Sequence, residues 1–397
     1  MPERPSAIVV SGTASALSVV RSLAKRGIRV YAINQANAHV KYSRHCEFLD
    51  VPGGRPADWA AYLLGPKGRE LAGSVLLTCS DEAIEMVIDN HQALSERFLL
   101  EENPPEVRRL FLSKLDTYEC AAAAGVATPR FWRVAKPSRA VIDEVRDQLV
   151  FPLLVKPHHS HVFQERFDVR FFVARTVDEL ASALDRVQPT GIPVVLLEFI
   201  PGPDDRLCSY YSYFDEHHQP LLDFTKRIIR RYPQNMGGAS YHITDWNPAV
   251  REVGIKLFQA AGLRGLGNVE FKRDPRDETL KLIEVNARFT AANRLVHASG
   301  IDLAYLSYAR LTGAPLPPLD HYRTGLRLLN IHQDFNAFLE LRAAGSLSTA
   351  SWLASVLRPQ VMQYFAWSDP VPSTMFTLWR SKEFLVRQVE RLKSPQG

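Results

Sequence analysis

The chain reads as an α/β (α+β) protein assembled from more than one packed unit, and three observations predict this. At 397 residues it is long for a single hydrophobic core. Its opening third alternates short apolar runs of strand length with amphipathic helical stretches, the pattern of a parallel sheet. Beyond that, strands follow one another closely enough to pair in antiparallel fashion, with helices between them.

The elements justify this in order. Ala7–Val10 is a short buried strand, and Ala14–Arg26 carries Leu17, Val20, Leu23 and Ala24 at helical spacing before stopping at Gly27. Ile28–Ile33 and Val75–Cys79 are further strands, the latter running into an acidic helix start at Ser80-Asp81-Glu82. The turn Ser11-Gly12-Thr13-Ala14-Ser15-Ala16 holds one glycine where a dinucleotide fingerprint needs three, so hydride-transfer chemistry is disfavoured. From residue 103 a helix over Ser113–Ala124 precedes a strand at Arg130–Val134, a helix at Arg139–Leu149 and strands at Pro152–Lys156 and Val169–Val173. A helix at Val177–Val187, a strand at Val194–Phe199 and antiparallel alternation over Leu207–Thr244 follow. A helix at Ala249–Ala261 leads to strands Leu266–Lys272 and Thr279–Asn286. The last seventy or so residues contain helical stretches (Phe335–Ala344, Ser348–Leu357, Lys382–Leu392) without recognisable chemistry and read as a packing appendage.

Composition narrows the class. Hydrophobic content of 46% and charged content of 23% are those of an ordinary globular protein. The net charge of +5, from 48 basic and 43 acidic residues, argues against non-specific nucleic-acid binding and for a local excess that serves an anionic ligand. Cys46, Cys79, Cys120 and Cys208 lie far apart, as core residues of a reducing compartment do. With no cleavable leader and no apolar run of about 20 residues, the expectation is a cytoplasmic protein with no membrane partner.

The chemistry concentrates in Gly267-Asn-Val-Glu270-Phe-Lys272, a turn at Asp274-Pro-Arg-Asp277, and Leu282-Ile-Glu284-Val-Asn286-Ala-Arg288. The flanks of that turn pair as antiparallel strands. Alternation puts Glu284 and Asn286 on one face with Glu270 opposite or near Glu284. Two carboxylates side by side repel unless a cation lies between them. Two carboxylates and an amide suit Mg²⁺ shared with phosphate oxygens. A solvent-facing hairpin is an even competitor on the pattern alone. The doubled acid at one paired position favours the metal reading, because exposed faces mix charges.

The run Ile283-Glu284-Val285-Asn286-Ala287-Arg288 resembles the E-x-N-x-R signature of the ATP-grasp ligases. The resemblance continues backward in order through Phe111-Leu112-Ser113-Lys114, Phe151-Pro152-Leu-Leu-Val-Lys156-Pro157 and Leu197-Glu198-Phe199-Ile200-Pro201-Gly202. Within that superfamily the segments 201–205, 271–277 and 80–83 are most similar to D-aspartate ligase-like carboxylate–amine ligases. The resemblance implies a Rossmann-like domain over 1–102, an ATP-grasp domain over 103–315 and a C-terminal helical extension over 316–397. It also implies ATP with Mg²⁺, Mn²⁺ being an alternative, and small-molecule carboxylate and amine substrates; a homodimer is an allowed assembly.

On that resemblance Lys114 and Lys156 contact the phosphates, and Glu198, Phe199 and Ile200 form the adenine hinge. Asp205 meets the ribose, Glu270, Glu284 and Asn286 hold the metal, and Arg288 binds the carboxylate or its acyl-phosphate. Lys114 equally suits a surface lysine in a first helical turn, and Asp205 a plain turn residue. Lys156 ends an apolar strand, where a cation needs a reason to be. Lys226 and Arg227 point to opposite faces, which leaves Lys226 to approach the γ-phosphate. Arg230 and Arg231 with Gly237-Gly238 read either as a basic loop over the acceptor site or as a solvated corner. One departure is His158-His159-Ser160-His161-Val162-Phe163-Gln164, a glycine-free segment where relatives cradle phosphates with backbone amides; it reads as a mobile lid rather than a metal site. The expected reaction is acyl-phosphate formation and capture by an amine. The alternatives are an ATP-binding regulatory protein without catalysis, and a bicarbonate-using carboxylase or carbamoyl-phosphate-type enzyme.

Overall fold

A computed structural model describes residues 4–157, 163, 166–169 and 171–393, with side chains as far as Lys382. The 158–164 lid therefore falls, apart from Phe163, outside the described residues.

Five parallel strands open the chain: β1 (Ala7–Val10), β2 (Val30–Ile33), β3 (Glu47–Leu49), β4 (Val75–Thr78) and β5 (Leu99–Leu100), in the order β3-β2-β1-β4-β5. The central strands β1, β2 and β4 are buried along their whole length, as strands covered on both faces must be. Gly12, at φ 86°, makes the tight turn out of β1; a Cβ there would come 2.6 Å from Cys79 Cβ.

A small antiparallel sheet follows, from β6 (Phe131–Val134), β7 (Leu153–Pro157), β8 (Phe172–Ala174) and β9 (Val194–Glu198), in the order β6-β9-β7-β8. Helix Val177–Val187 packs on it through Leu180, Ala183, Leu184 and Val187, the i, i+3, i+4, i+7 positions of one helical face. Each such leucine contributes about 1.5–3 kcal/mol by leaving water. Thr176 caps the helix by accepting the Glu179 N–H at 3.2 Å.

The third sheet has seven strands: β10 (Leu207–Phe214), β11 (Phe224–Tyr232), β12 (Gly238–Asp245), β13 (Gly265–Arg273), β14 (Leu280–Asn286), β15 (Arg327–Leu329) and β16 (Val361–Met362), ordered β14-β13-β10-β11-β12-β15-β16. One buried cluster joins it to the first sheet, with Val9, Leu17 and Leu23 in the same core as Tyr211, Phe224, Leu295 and Leu306. The opening domain is therefore packed into the molecule rather than tethered to it.

The C-terminal region departs from its expected form. Helices Ile331–Ala343, Thr349–Val356 and Val371–Lys393 are present, but the segment also returns β15 and β16 to the sheet edge. Strands of three and two residues carry too little alternation to be seen in sequence. Asp369, almost wholly buried, ties this region down through the Arg21 guanidinium at 2.9 Å and the Ser43 hydroxyl at 2.8 Å. Among the described residues no helix is long and apolar enough to cross a membrane.

Candidate active site

A cleft of about 820 Å³ lies between the small and large antiparallel sheets. It is floored by one register line across the large sheet. Lys226 on β11 stands beside Ser209 on β10, Ser209 beside Glu270 on β13, and Glu270 beside Glu284 on β14. Asn268 and Asn286 pair in the adjoining line. The hairpin predicted from the Asp274–Asp277 turn is thus present in the predicted pairing. Ile283 bulges out of β14, opposite no residue, between the Glu270–Glu284 and Phe271–Leu282 pairs.

The two glutamates are held apart by cations. Lys114 Nζ donates to Glu284 Oε1 at 2.9 Å, and Lys226 Nζ lies 3.9 Å from Glu270 Oε1 while donating to Ser209 Oγ at 2.9 Å. The Lys114 ammonium keeps the Glu284 carboxyl below its usual range, and Glu284 in turn raises Lys114. These two acids and Asn286 all line the cleft. Two carboxylates with one amide are too few ligands for a full cage, as suits an ion that takes its remaining oxygens from phosphates. The ammonium groups now beside the carboxylates are the positive charge that such an ion would supply or replace.

Lys156 extends from β7 of the small sheet to line the cleft, with its Nζ 5.0 Å from the centre of the Phe171 ring. Burial, reinforced by the nearby Lys114 charge, pushes it down to about 7. Lys226 is fully buried and also lowered, chiefly by desolvation. Arg227 faces the other way, toward solvent and Asp245.

At the hinge, Glu198, Phe199 and Ile200 all border the cleft, but the Glu198 carboxylate is engaged by neighbouring protein groups. It accepts the Arg130 N–H at 2.9 Å and meets the Arg276 guanidinium at 2.5 Å, with only 3% of the residue exposed. Glu198 therefore fixes the hinge backbone and does not offer its side chain to a ligand. Asp205 is not brought to the cleft; it is exposed on the short turn Asp204–Arg206. The inward acid of that turn is Asp204, 2.6 Å from Arg231 Nε. Sequence distinguishes these adjacent acids poorly, because a turn has no side-chain period.

Arg288 lines the cleft and is held by Asp81 of the first domain, Nε to Oδ1 at 2.6 Å and Nη2 to Oδ2 at 3.2 Å. Arg230 and Arg231 part company. Ile229 is an extra residue in β11 between the Ile228–His242 and Arg230–Tyr241 pairs. That bulge reverses the alternation, so Arg231 shares the cleft with Lys226 and Ile228. Arg230 turns away to a buried pair with Asp334 at 2.8 and 2.9 Å. Neither the basic loop nor the solvated corner describes it.

Several lining residues went unrecognised in sequence. Lys272, two positions from Glu270 on β13, donates to the carbonyls of Ile200 and Gly202 at 3.0 and 2.8 Å and to Asn235 Oδ1 at 3.1 Å. The same-face spacing was the signal that could have found it. His242 is buried at the cleft with Nδ1 unpartnered, and desolvation holds its pKa well below normal. Gln333, Gln363 and Tyr364 come from the C-terminal region, where no local pattern announces them. Gln333 donates to the Tyr232 and Gly238 carbonyls at 3.2 and 3.0 Å, clamping the turn between β11 and β12.

This arrangement has counterparts. Residues 242–318 match the family model for the carbamoyl-phosphate synthase L chain, ATP binding domain. Over 248 residues the chain is 25% identical to the D-aspartate ligase of Enterococcus faecium (strain Aus0004), covering 58% of this chain and 56% of that protein. It is 26% identical over 186 residues to the D-alanine–D-alanine ligase of Xanthomonas axonopodis pv. citri (strain 306), covering 45% and 55%. Among solved structures, N5-carboxyaminoimidazole synthetase from Staphylococcus aureus superposes with a TM-score of 0.61 at 14% identity, covering 80% of each chain. The L-amino acid ligase of Bacillus licheniformis gives 0.58 at 17% identity, covering 78% of this chain and 75% of that one. The chain is similar to ATP-grasp ligases. The cleft between the small sheet and the large one gathers Lys114, Lys156, Lys226, Glu270, Glu284, Asn286 and Arg288. The matched stretches span little more than half the length of the curated relatives.

Proposed function

We propose that the protein is an ATP- and Mg²⁺-dependent carboxylate–amine ligase that works through an acyl-phosphate. The observation that carries this reading is the line of Lys226, Ser209, Glu270 and Glu284 across one cleft floor, with Lys114 and Lys156 above it and Arg288 at its end.

A carboxylate reacts poorly with an amine at neutral pH because its oxygen is a poor leaving group. In the proposed reaction the substrate carboxylate attacks the γ-phosphorus of ATP, the bond to ADP breaks, and an acyl-phosphate forms. Lys114, Lys156 and Lys226 supply positive charge to the triphosphate, each as a compact point charge. Glu270, Glu284 and Asn286 would hold Mg²⁺, which when bound neutralises and orients the phosphate oxygens. Arg288 holds the carboxylate, and then the oxyanion formed when the amine attacks the acyl carbon; phosphate leaves with its electron pair and the amine loses a proton. Placement and fixed charge carry the catalysis, so no covalent enzyme intermediate is required.

The finer reading is a ligase of the D-aspartate-ligase type. The E. faecium relative supports it, as do three cations, Arg231, Arg288 and Lys226, along a cleft that would receive an acidic amino acid. The test is ADP release over a panel of amino acids and amines, with mass analysis of the products and bicarbonate as a control. Amide product formed with ADP is expected, and Glu284→Ala should remove nearly all of it while leaving the circular dichroism spectrum unchanged. Undiminished ADP release by that variant, or release that depends on bicarbonate alone, would overturn the reading.

A further inference from the structure

A second cavity, of about 600 Å³, lies on the far side of the segment 361–368 from the cleft. Its walls come from helix Ala14–Lys25, helix Asn293–Ser299, Arg323 and the C-terminal chain. Arg21, Lys25, Arg294, Arg323 and His297 all line it, and among the described residues no aspartate or glutamate does. Two neighbouring acids have partners of their own. Asp369 takes the Arg21 guanidinium, the Ser43 hydroxyl and the Arg44 N–H, and Asp302 takes Ser22 and the Tyr305 N–H.

Arg294 is the most informative of the five. Among the described residues its guanidinium donates to two main-chain carbonyls, Met362 at 2.7 Å and Phe365 at 2.8 Å, and to no carboxylate; Asp369, already paired with Arg21, acts on it only through space. Burial and the neighbouring Arg21 push it down to about 10, so the cavity holds more positive charge than its own walls compensate. At the same wall Gln360 Oε1 is buried without a hydrogen-bond partner, and His297 Nδ1 has only Asp302 Oδ1, 3.4 Å away. At the rim Trp367 is 90% exposed, with Phe365 edge-on to it at 4.8 Å. A lone aromatic beside a basic cavity offers a face for a flat or apolar body whose oxyanions lie deeper.

We propose that this cavity is a regulatory site for a small organic anion bearing two or three oxyanions, a phosphate ester or a polycarboxylate. The connection to the cleft is covalent and short. Val361 and Met362 wall the cavity while Gln363 and Tyr364 line the cleft, and Ala291 and Ala292 of the cleft lead directly into the helix bearing Arg294 and His297. Arg294 grips the carbonyls on either side of Gln363-Tyr364, and Arg21 Nη1 donates to the Tyr364 carbonyl at 2.7 Å. An anion that draws these guanidiniums inward pulls on the strand that presents Gln363 and Tyr364, and nucleotide affinity and anion affinity must then change by the same factor.

Pyrophosphate and citrate, titrated calorimetrically without Mg²⁺ into the whole protein, test the site and separate the two ligand sources. A binding event is expected that survives Lys156→Gln, which weakens the nucleotide cleft, and that weakens at least tenfold in the Lys25→Gln/Arg323→Gln double variant. Both substituted residues are exposed, and the double variant gives up one surface hydrogen bond, from Arg323 to the Ala298 carbonyl, so it should fold. Absence of any event with either anion, or equal affinity in wild type and the double variant, overturns the proposal. A nucleotide-analogue affinity identical with and without saturating anion overturns the connection to the cleft. Because the titration needs no turnover, its outcome is independent of whether ligase activity is found.

Discussion

Raising the pH should weaken nucleotide binding through one lysine. Lys156 is pushed down to about 7 in the free protein because it is buried beside Lys114. A triphosphate favours its charged form, so binding must return the proton. The sign follows: below pH 7 the ammonium is already charged and binding costs no proton, whereas above pH 7 each further unit costs about 1.4 kcal/mol, a factor of ten. Between pH 7 and 9 the affinity for Mg-AMPPNP should therefore fall about 50-fold, and at pH 8 binding should take up about 0.9 proton. Calorimetry in buffers of different ionisation enthalpy reads both quantities. Lys156→Arg supplies the control, since a guanidinium stays charged throughout and should flatten the dependence. Lys272, lowered by burial to about 8, is unchanged in that variant, so its own titration sets the residual slope. A wild-type affinity that is flat from pH 7 to 9, or proton uptake at pH 8 as large in Lys156→Arg as in wild type, would refute the reasoning.

Other perturbations address separate contacts. Lys272→Met should release the hinge by removing three hydrogen bonds to Ile200, Gly202 and Asn235, and weaken analogue binding about tenfold or more with little loss of thermal stability beyond about 1–3 kcal/mol. Asp81→Asn should free Arg288 for an anionic substrate; Asp81 is half exposed, so the KM of the carboxylate substrate should fall only two- to five-fold, about 0.5–1 kcal/mol, at unchanged kcat. A rise in KM would show instead that Asp81 touches substrate. Asp334→Ala leaves Arg230 buried without its carboxylate and should cost about 3–5 kcal/mol in denaturant unfolding; a cost under about 1 kcal/mol would contradict the burial assigned to that pair.

The sequence by itself determined the local chemistry. A period of two on each side of the Asp274–Asp277 turn was enough to bring Glu270 near Glu284, while the bulge at Ile283 made them direct partners, since unbroken alternation from the Phe271–Leu282 pair would set Glu270 against Ile283. The buried strand Leu153–Pro157 and helix Val177–Val187 were likewise legible from apolar patterning alone. What only the tertiary structure decided are directions and partners. The bulge at Ile229, the first of two register shifts there, exchanged the faces of Arg230 and Arg231, and no residue type announces where the alternation will slip. The turn chose Asp204 over Asp205 through its contact with Arg231, a residue 27 positions away. Gln363 and Tyr364 reach the cleft because the chain adds two short strands to a sheet edge, and the low pKa of Lys156 comes from its burial beside Lys114, Glu284 and Arg231, which stand far from it in sequence. Such long-range juxtapositions carry no local signature, since burial and charge are properties of the neighbours that folding brings together rather than of the residue's own stretch of chain.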